Sequence, residues 1–145
     1  MAATILQAIV EHFGTSAPLQ ATFPGGFWPE FAPEGVVKPY LLLRDHEETV
    51  EFFTADPGDD SYLEKTTLTL RAVGAGLVET DDAAQVVKRE YDWQEAQVPL
   101  EGGSATAAIG NRRLSYRLSA LDKVSGGQPV CLGDVRFEFW VQDRH

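Results

Sequence analysis

Two segments near the C-terminus alternate between apolar and polar residues, and this pattern limits the possible folds more than any other feature of the chain. The apolar positions are Leu114, Tyr116, Leu118 and Ala120 in the first segment and Val135, Phe137, Phe139 and Val141 in the second. Side chains of a strand point alternately to the two sides of a sheet, so each segment predicts a strand with one buried face. The Ser125-Gly126-Gly127 stretch predicts the turn between them. We therefore expect C-terminal strands over about residues 112–143.

Three shorter segments, at 40–44, 49–54 and 62–73, predict a second group of strands. Four polar residues at 45–48 separate the first from the second, and an Asp-Pro-Gly-Asp-Asp turn sequence at 56–60 separates the second from the third. Short connections usually join antiparallel neighbours, so residues about 40–73 are predicted to form a meander.

Two further segments have helical periodicity. In residues 2–13 the apolar side chains fall on a single stripe, which consists of Ile5, Leu6, Ile9, Val10 and Phe13. Gly14 is expected to end this helix. A second helix is predicted at about 80–93, with Thr80 as its N-cap and with Ala83 and Ala84 allowing a close approach to the sheet.

Taken together, these elements predict a single α+β domain over residues 1–145, with a mostly antiparallel sheet and two helices packed on one face. The segment 97–111 contains glycines and small residues and has little to bury. It is expected to be either a flexible loop or an arm that becomes ordered against another subunit.

The segment 23–43 combines aromatic residues with four prolines and three glycines before the first predicted strand. Proline lacks an amide donor, so this segment can pair only at the edge or margin of a sheet. Its aromatic side chains, Phe27, Trp28 and Phe31, need either burial or a partner surface. The pattern indicates a stiff connector and favours assembly over catalysis.

The sequence offers little for catalysis. The three histidines are far apart, the acidic run around His46 is typical of a solvated turn, and no nucleophile elbow, phosphate-binding loop or zinc spacing occurs. A single cysteine, Cys131, excludes an internal disulfide. We therefore expect no enzyme activity, no metal and no cofactor. No signal peptide or membrane span is predicted, so the product is expected to be soluble and intracellular when made.

The net charge of −10 argues against tight DNA binding, because a DNA-binding protein is expected to be basic. The same charge does not argue against a surface past which DNA moves, since carboxylates repel phosphates.

The connector carries a resemblance to a known family. A helix, the Gly25-Gly26-Phe27 turn, Ala32-Pro33-Glu34-Gly35, and then Pro39-Tyr40 before an aliphatic strand resemble the tail-completion or tail-terminator proteins of tailed phages and prophages, which are minor tail and head–tail joining proteins. The resemblance implies an α+β virion protein of the tail or neck without catalytic residues or cofactors. It further implies a homohexameric ring that caps the tail tube protein and meets the head–tail connector or a head-completion protein. DNA would pass through the ring without specific binding.

Two groups of residues follow as candidates for these contacts. Lumen or inter-subunit positions are predicted at Glu47, Glu48, Glu51, Asp56, Asp59 and Asp60, which cluster around one hairpin. An assembly surface is predicted at Phe27, Trp28, Phe31, Phe53 and Trp140. A head-completion adaptor, another neck component, and a small intracellular binding module without catalysis are the alternatives.

Overall fold

The computed structural model describes residues 2–52, 62–93, 96–99, 106–125 and 128–143. The helices are α1 (Ala2–Thr15), α2 (Ala17–Thr22) and α3 (Leu77–Glu90), and the strands are β1 (Phe27–Pro29), β2 (Tyr40–Phe52), β3 (Tyr62–Gly74), β4 (Ala96–Pro99), β5 (Thr106–Ser125) and β6 (Gln128–Asp143). The strands form one sheet in the order β1-β2-β3-β6-β5-β4. Every described pairing except β1–β2 is antiparallel, which confirms the predicted α+β class. The short helix α2 was not predicted.

The helices cover one face of the sheet and form the main core with it. On α1, Ile5, Ile9 and Phe13 are buried as the stripe predicts, whereas Val10 is 53% exposed and does not belong to the core. The prediction that Gly14 ends the helix was wrong by one residue. The helix continues to Thr15, and Ser16 then caps α2 by accepting a hydrogen bond from the Leu19 amide at 3.3 Å.

Small residues bring α3 close to the sheet, as the sequence predicted. A Cβ atom at Gly133 would lie 3.2 Å from the Cβ of Ala84, and one at Gly74 would lie 2.3 Å from the Thr80 hydroxyl. The predicted N-cap at Thr80 was wrong, because α3 begins at Leu77 after Gly76 and Thr80 is buried within its first turns. Thr80 is therefore a packing residue.

The separate strands predicted at 40–44 and 49–54 are one strand, β2, so the three-stranded meander was wrong. The pairing with β3 shifts by one residue between Arg44 and Glu47, and Asp45 has a φ of 54°. A β-bulge thus accommodates the polar run without breaking the strand. The second neighbour of β3 is β6, which comes from the far end of the chain.

The C-terminal strands form a long hairpin of β5 and β6. All four predicted core residues of β6 are buried. The prediction for β5 was wrong at Leu114, Leu118 and Ala120, which are exposed, and Tyr116 is only half-buried. Next to Leu114 the pairing of β5 with β6 shifts by one residue, between Arg113 and Ser115. The strand begins at Thr106, and its first residues pair with β4. The described parts of 97–111 are therefore mostly strand within this subunit and not a loop or an arm.

Candidate assembly surfaces

The connector, residues 23–40, carries the edge strand β1, in agreement with the sheet-edge position predicted from its prolines. Backbone hydrogen bonds to β2 are made on both sides of β1: Leu41 donates to Gly26 at 2.9 Å, and Glu30 donates to Leu43 at 2.9 Å. A Cβ atom at Gly25 would lie 1.9 Å from the Val37 carbonyl oxygen, so only glycine fits there. The connector therefore packs tightly against the edge of the sheet.

The three aromatic residues of the connector lie in different environments. Phe27 packs against Phe13 of the main core, with their ring centroids 5.3 Å apart. Trp28 lies on the other face of the sheet, where it covers Leu42 and donates its indole N–H to the Gly25 carbonyl at 2.8 Å. Phe31 is 72% exposed, and the Arg44 guanidinium lies 5.7 Å from its ring centroid. Phe31 is therefore the connector aromatic best placed to meet a partner.

The helix-free face of the sheet carries charged side chains arranged in rows across the strands. Arg71 donates two hydrogen bonds to Asp134, at 2.7 and 3.0 Å, and these bonds raise the pKa of the guanidinium. Arg112 pairs with Glu138 at 3.2 Å. These pairs cross neighbouring strands, so they stabilise the register of the sheet.

Trp140, also predicted for assembly, is half-buried on this face. Its indole lies across Gly110 of β5, because a Cβ atom at that glycine would come within 2.3 Å of the indole nitrogen. One side of the Trp140 ring is therefore covered by β5 of the same chain.

The predicted acidic positions are only partly described. Glu47 and Glu48 are exposed on β2, and Glu48 lies 3.1 Å from His46. Glu51 lies opposite Leu63 in the β2–β3 pairing, but its side chain is outside the described part of the structure. Asp56, Asp59, Asp60 and the predicted assembly residue Phe53 lie outside the described residues.

Arginines at the opposite side of the sheet were not predicted as a site. Arg112, Arg113 and Arg117 are all exposed on β5. The signal in the sequence was the set of arginines among the apolar positions of an alternating strand. Which strand lies at the edge of the sheet depends on the topology and not on this pattern.

A polar cluster joins α3 to β5. The Tyr116 hydroxyl donates to Asp81 at 2.6 Å, and the Lys88 ammonium lies 3.6 Å from the Tyr116 ring centroid. The Tyr116 hydrogen bond, followed by one from Gln85, lowers the pKa of Asp81, whereas desolvation raises the pKa of Tyr116. Desolvation and the nearby Arg113 lower the pKa of Lys88.

Ser16, His12 and Glu90 also meet, where the ends of α1, α2 and α3 converge. The Ser16 hydroxyl donates to Glu90 at 2.5 Å, and the His12 Nε2 atom lies 3.9 Å from the same carboxylate oxygen. Ser16 thus bonds to the carboxylate and not to the histidine. An activated serine nucleophile instead bonds to a histidine that is oriented by a carboxylate. The cluster connects the three helices.

Within the described residues, no group of three or more acidic, histidine or cysteine side chains is placed to hold a metal ion. None of the described helices is both long enough and apolar enough to cross a membrane.

Neither a family model nor a curated protein matches the sequence. Among solved structures, the chain is similar to one from the virion of native gene transfer agent (GTA) particle. The TM-score is 0.68, the sequence identity is 15%, and the alignment covers 98% of this chain and 97% of that chain. At this identity the similarity shows a shared fold, and it extends over nearly the full length of both chains.

Proposed function

We propose that this chain is a structural component of a phage-like virion. The observation that carries the proposal is the fold shared, almost from end to end, with a chain of a gene transfer agent virion. Because nearly all of both chains align, the likeness concerns a whole subunit and not a recurring substructure. A fold alone does not define a function, so the proposal also depends on the exposed surfaces of this chain.

Within the virion, we propose the role of a tail terminator, as the resemblance of the connector implies. Copies of the chain form a homohexameric ring that caps the tail tube and joins it to the head–tail connector or a head-completion protein. Exposed Phe31 on a tightly held connector supports this role, since aromatic residues are enriched at protein contacts. The chain acts without catalysis and without a cofactor.

DNA passes through the ring without specific binding. The carboxylates around the β2–β3 hairpin, from Glu47 to Asp60, line the passage or its subunit boundaries and repel phosphates. A structure of the ring tests this part directly. Carboxylates found on the outer wall, away from both the passage and the boundaries, would reject it.

The deciding experiment is electron microscopy of the purified chain mixed with tail tubes from the same virus or prophage. We expect a ring at one end of each tube and no further growth when tube protein is added. Phe31→Ser, compared with wild type, is expected to reduce the capped fraction without unfolding the chain. Binding to isolated connectors but not to tubes would instead identify a head-completion adaptor. No binding to either assembly would favour a small binding module.

A further inference from the structure

Both sides of the sheet end in a strand edge that is partly uncovered. On one side, β1 pairs with β2 only at Leu41–Leu43, and no other described strand pairs with the outer edge of residues 44–52. On the other side, β4 pairs with β5 only at residues 106–109, which leaves 110–121 without an outer neighbour among the described strands. Residues 45–49 and 112–115 are all exposed, as expected for open edges.

The two edges carry opposite charge. Residues 44–49 of β2, which we call the acidic edge, contain three carboxylates and one arginine, namely Asp45, Glu47, Glu48 and Arg44. Residues 110–121 of β5, which we call the basic edge, contain three arginines and no carboxylate. Within a chain of net charge −10, this basic stretch is a local exception.

The geometry of the sheet allows these edges to meet in neighbouring copies. Paired residues line up in rows that cross β2, β3, β6 and β5 in that order. Three of these rows are Arg44–Thr69–Arg136–Ser115, Glu47–Thr67–Glu138–Arg112 and Thr49–Lys65–Trp140–Gly110. The stretches 44–47 and 112–115 therefore lie at the same level on opposite sides of the sheet. Strands β1 and β4 flank opposite ends of these edges, so neither covers this level.

Strand direction is also suitable. Three successive antiparallel pairings separate β2 from β5, so these two strands run antiparallel to each other. A copy rotated about an axis along the strands would place its β2 antiparallel to β5 of its neighbour. Both edges carry a one-residue bulge at this level, between Arg44 and Glu47 and between Arg113 and Ser115. If the rows continue into the neighbouring copy without a change of register, Glu47 of one copy lies beside Arg112 of the next.

Charge then selects the partner edge. Charged residues and bulges protect open strands against indiscriminate pairing. Two acidic edges repel each other, as do two basic edges, whereas unlike edges attract. This repulsion disfavours a symmetric dimer through like edges. The arrangement that is left is a head-to-tail contact between unlike edges, repeated from copy to copy. Such a contact gives a ring when the rotation between copies closes.

We propose that the partner of each edge is a second copy of this chain, with the acidic edge of one subunit bound to the basic edge of the next. The proposal rests on the proposed function, because it assigns the subunit contact of the ring. It places Glu47 and Glu48 at the subunit boundary. The exposed side chains of Leu118 and Leu121 add apolar area along the basic edge.

Two reversed variants test the contact. Glu47→Lys with Glu48→Lys makes both edges basic, and Arg113→Glu with Arg117→Glu makes both edges acidic. Arg112 is kept because it pairs with Glu138. Sedimentation velocity at rising protein concentration and low salt is expected to show association of the wild type. Each variant alone is expected to associate at least about tenfold more weakly.

Mixing distinguishes a lost contact from a lost fold. Equimolar amounts of the two variants are expected to associate in alternation, and the chain with all four substitutions is expected to associate by itself. Glu11→Lys with Glu34→Lys is the control for the first variant, since it also replaces two carboxylates by lysines, at exposed positions outside both edges. Circular dichroism and thermal melting of every variant check the fold.

Three results would overturn the proposal: a wild type that stays monomeric at about millimolar concentration, variants that associate like the wild type, or a mixture that shows no recovery. Its failure is separable from that of the proposed function. Tubes capped equally well by both reversed variants would reject the edge contact alone. Rings that form through the edges but never cap a tube would reject the tail-terminator role alone.

Discussion

Gly110 and Gly14 both lie in regular secondary structure, yet only at Gly110 does a neighbouring residue occupy the space that a side chain would need. A Cβ atom at Gly110 would lie 2.3–2.7 Å from three atoms of the Trp140 indole, whereas one at Gly14 would have no atom within 4 Å. The first glycine therefore makes room for an aromatic ring across the strand. The second is a helical residue that alanine can replace without a clash.

Opposite effects on stability follow for these glycines. Gly110→Ala is expected to displace the Trp140 ring and lower the free energy of unfolding by about 1–3 kcal/mol. Gly14→Ala is expected to raise it by up to about 1 kcal/mol, because alanine loses less backbone entropy in a helix. Urea denaturation measures both, and the indole N–H resonance of Trp140 reports the displaced ring. A stable Gly110→Ala protein with an unshifted resonance would contradict the packing described here.

Asn111 shows how one buried polar side chain connects distant segments. Its amide oxygen accepts a hydrogen bond from the Trp93 backbone N–H at 2.8 Å, and its amide nitrogen donates to the Tyr91 carbonyl. The chain leaving α3 is thereby fixed to β5. Asn111 lies at the end of the segment 97–111, which was expected to be a loop or an arm because its glycines and small residues have little to bury.

The helix α3 and the strand β5 are coupled by a hydrogen bond that depends on pH. The Tyr116 hydroxyl donates to ionised Asp81 and keeps the pKa of that carboxyl below its usual value of 3.8. A depressed pKa in the folded state stabilises the fold above pH 4, and this contribution is lost as the pH falls through the folded pKa. Because the pKa of Tyr116 is raised in the folded state, its contribution to stability is fully present below about pH 10 and is lost as the pH rises above that value.

Tyr116→Phe removes this hydrogen bond but keeps the ring beneath Lys88. The variant is expected to be less stable than the wild type between about pH 5 and pH 9. The difference is expected to shrink as the pH falls through the lowered pKa of Asp81, because the carboxyl then becomes protonated in both proteins. Urea denaturation at pH 3 and pH 7 measures it. A difference that is the same at both pH values would show that the hydroxyl acts independently of the Asp81 charge.

Two aromatic residues of the connector, only four positions apart, have different environments, and under the proposed function only the exposed one meets a partner. Phe27 packs on the core beside Phe13, whereas Phe31 projects from the subunit beside Arg44. Both residues satisfied the same expectation from sequence, that an aromatic side chain needs burial or a partner. Only their position relative to the sheet distinguishes them.

Phe31→Ser and Phe27→Ser test this division in the assembled particle. Phe31→Ser is expected to change the free energy of unfolding by less than about 0.5 kcal/mol, because an exposed ring contributes little to folding. Phe27→Ser is expected to cost about 2–4 kcal/mol through the lost core contact. Thermal melting measures stability, and the fraction of capped tubes in electron micrographs measures assembly. A capped fraction unchanged by Phe31→Ser would remove this residue from the assembly surface.

Periodicity in the sequence was enough to determine which side chains of α1 and β6 face the core, apart from Val10. The lack of proline amide donors likewise placed the connector at the edge of the sheet. Both inferences succeed because they depend on the residues of one segment and on local stereochemistry. The exposure of Glu47 and Glu48 also followed from their polar neighbourhood.

Tertiary structure alone decided that β3 pairs with β6 and that the polar run at 45–48 lies within one strand, which bulges between Arg44 and Glu47. It also decided that 110–121 is a basic edge without an outer neighbour among the described strands. Each of these depends on which distant segment supplies the neighbouring strand. Alternation specifies the two faces of a strand but not its two edges, because every edge has the same backbone donors and acceptors. The choice of neighbour is made by the packing of the whole core.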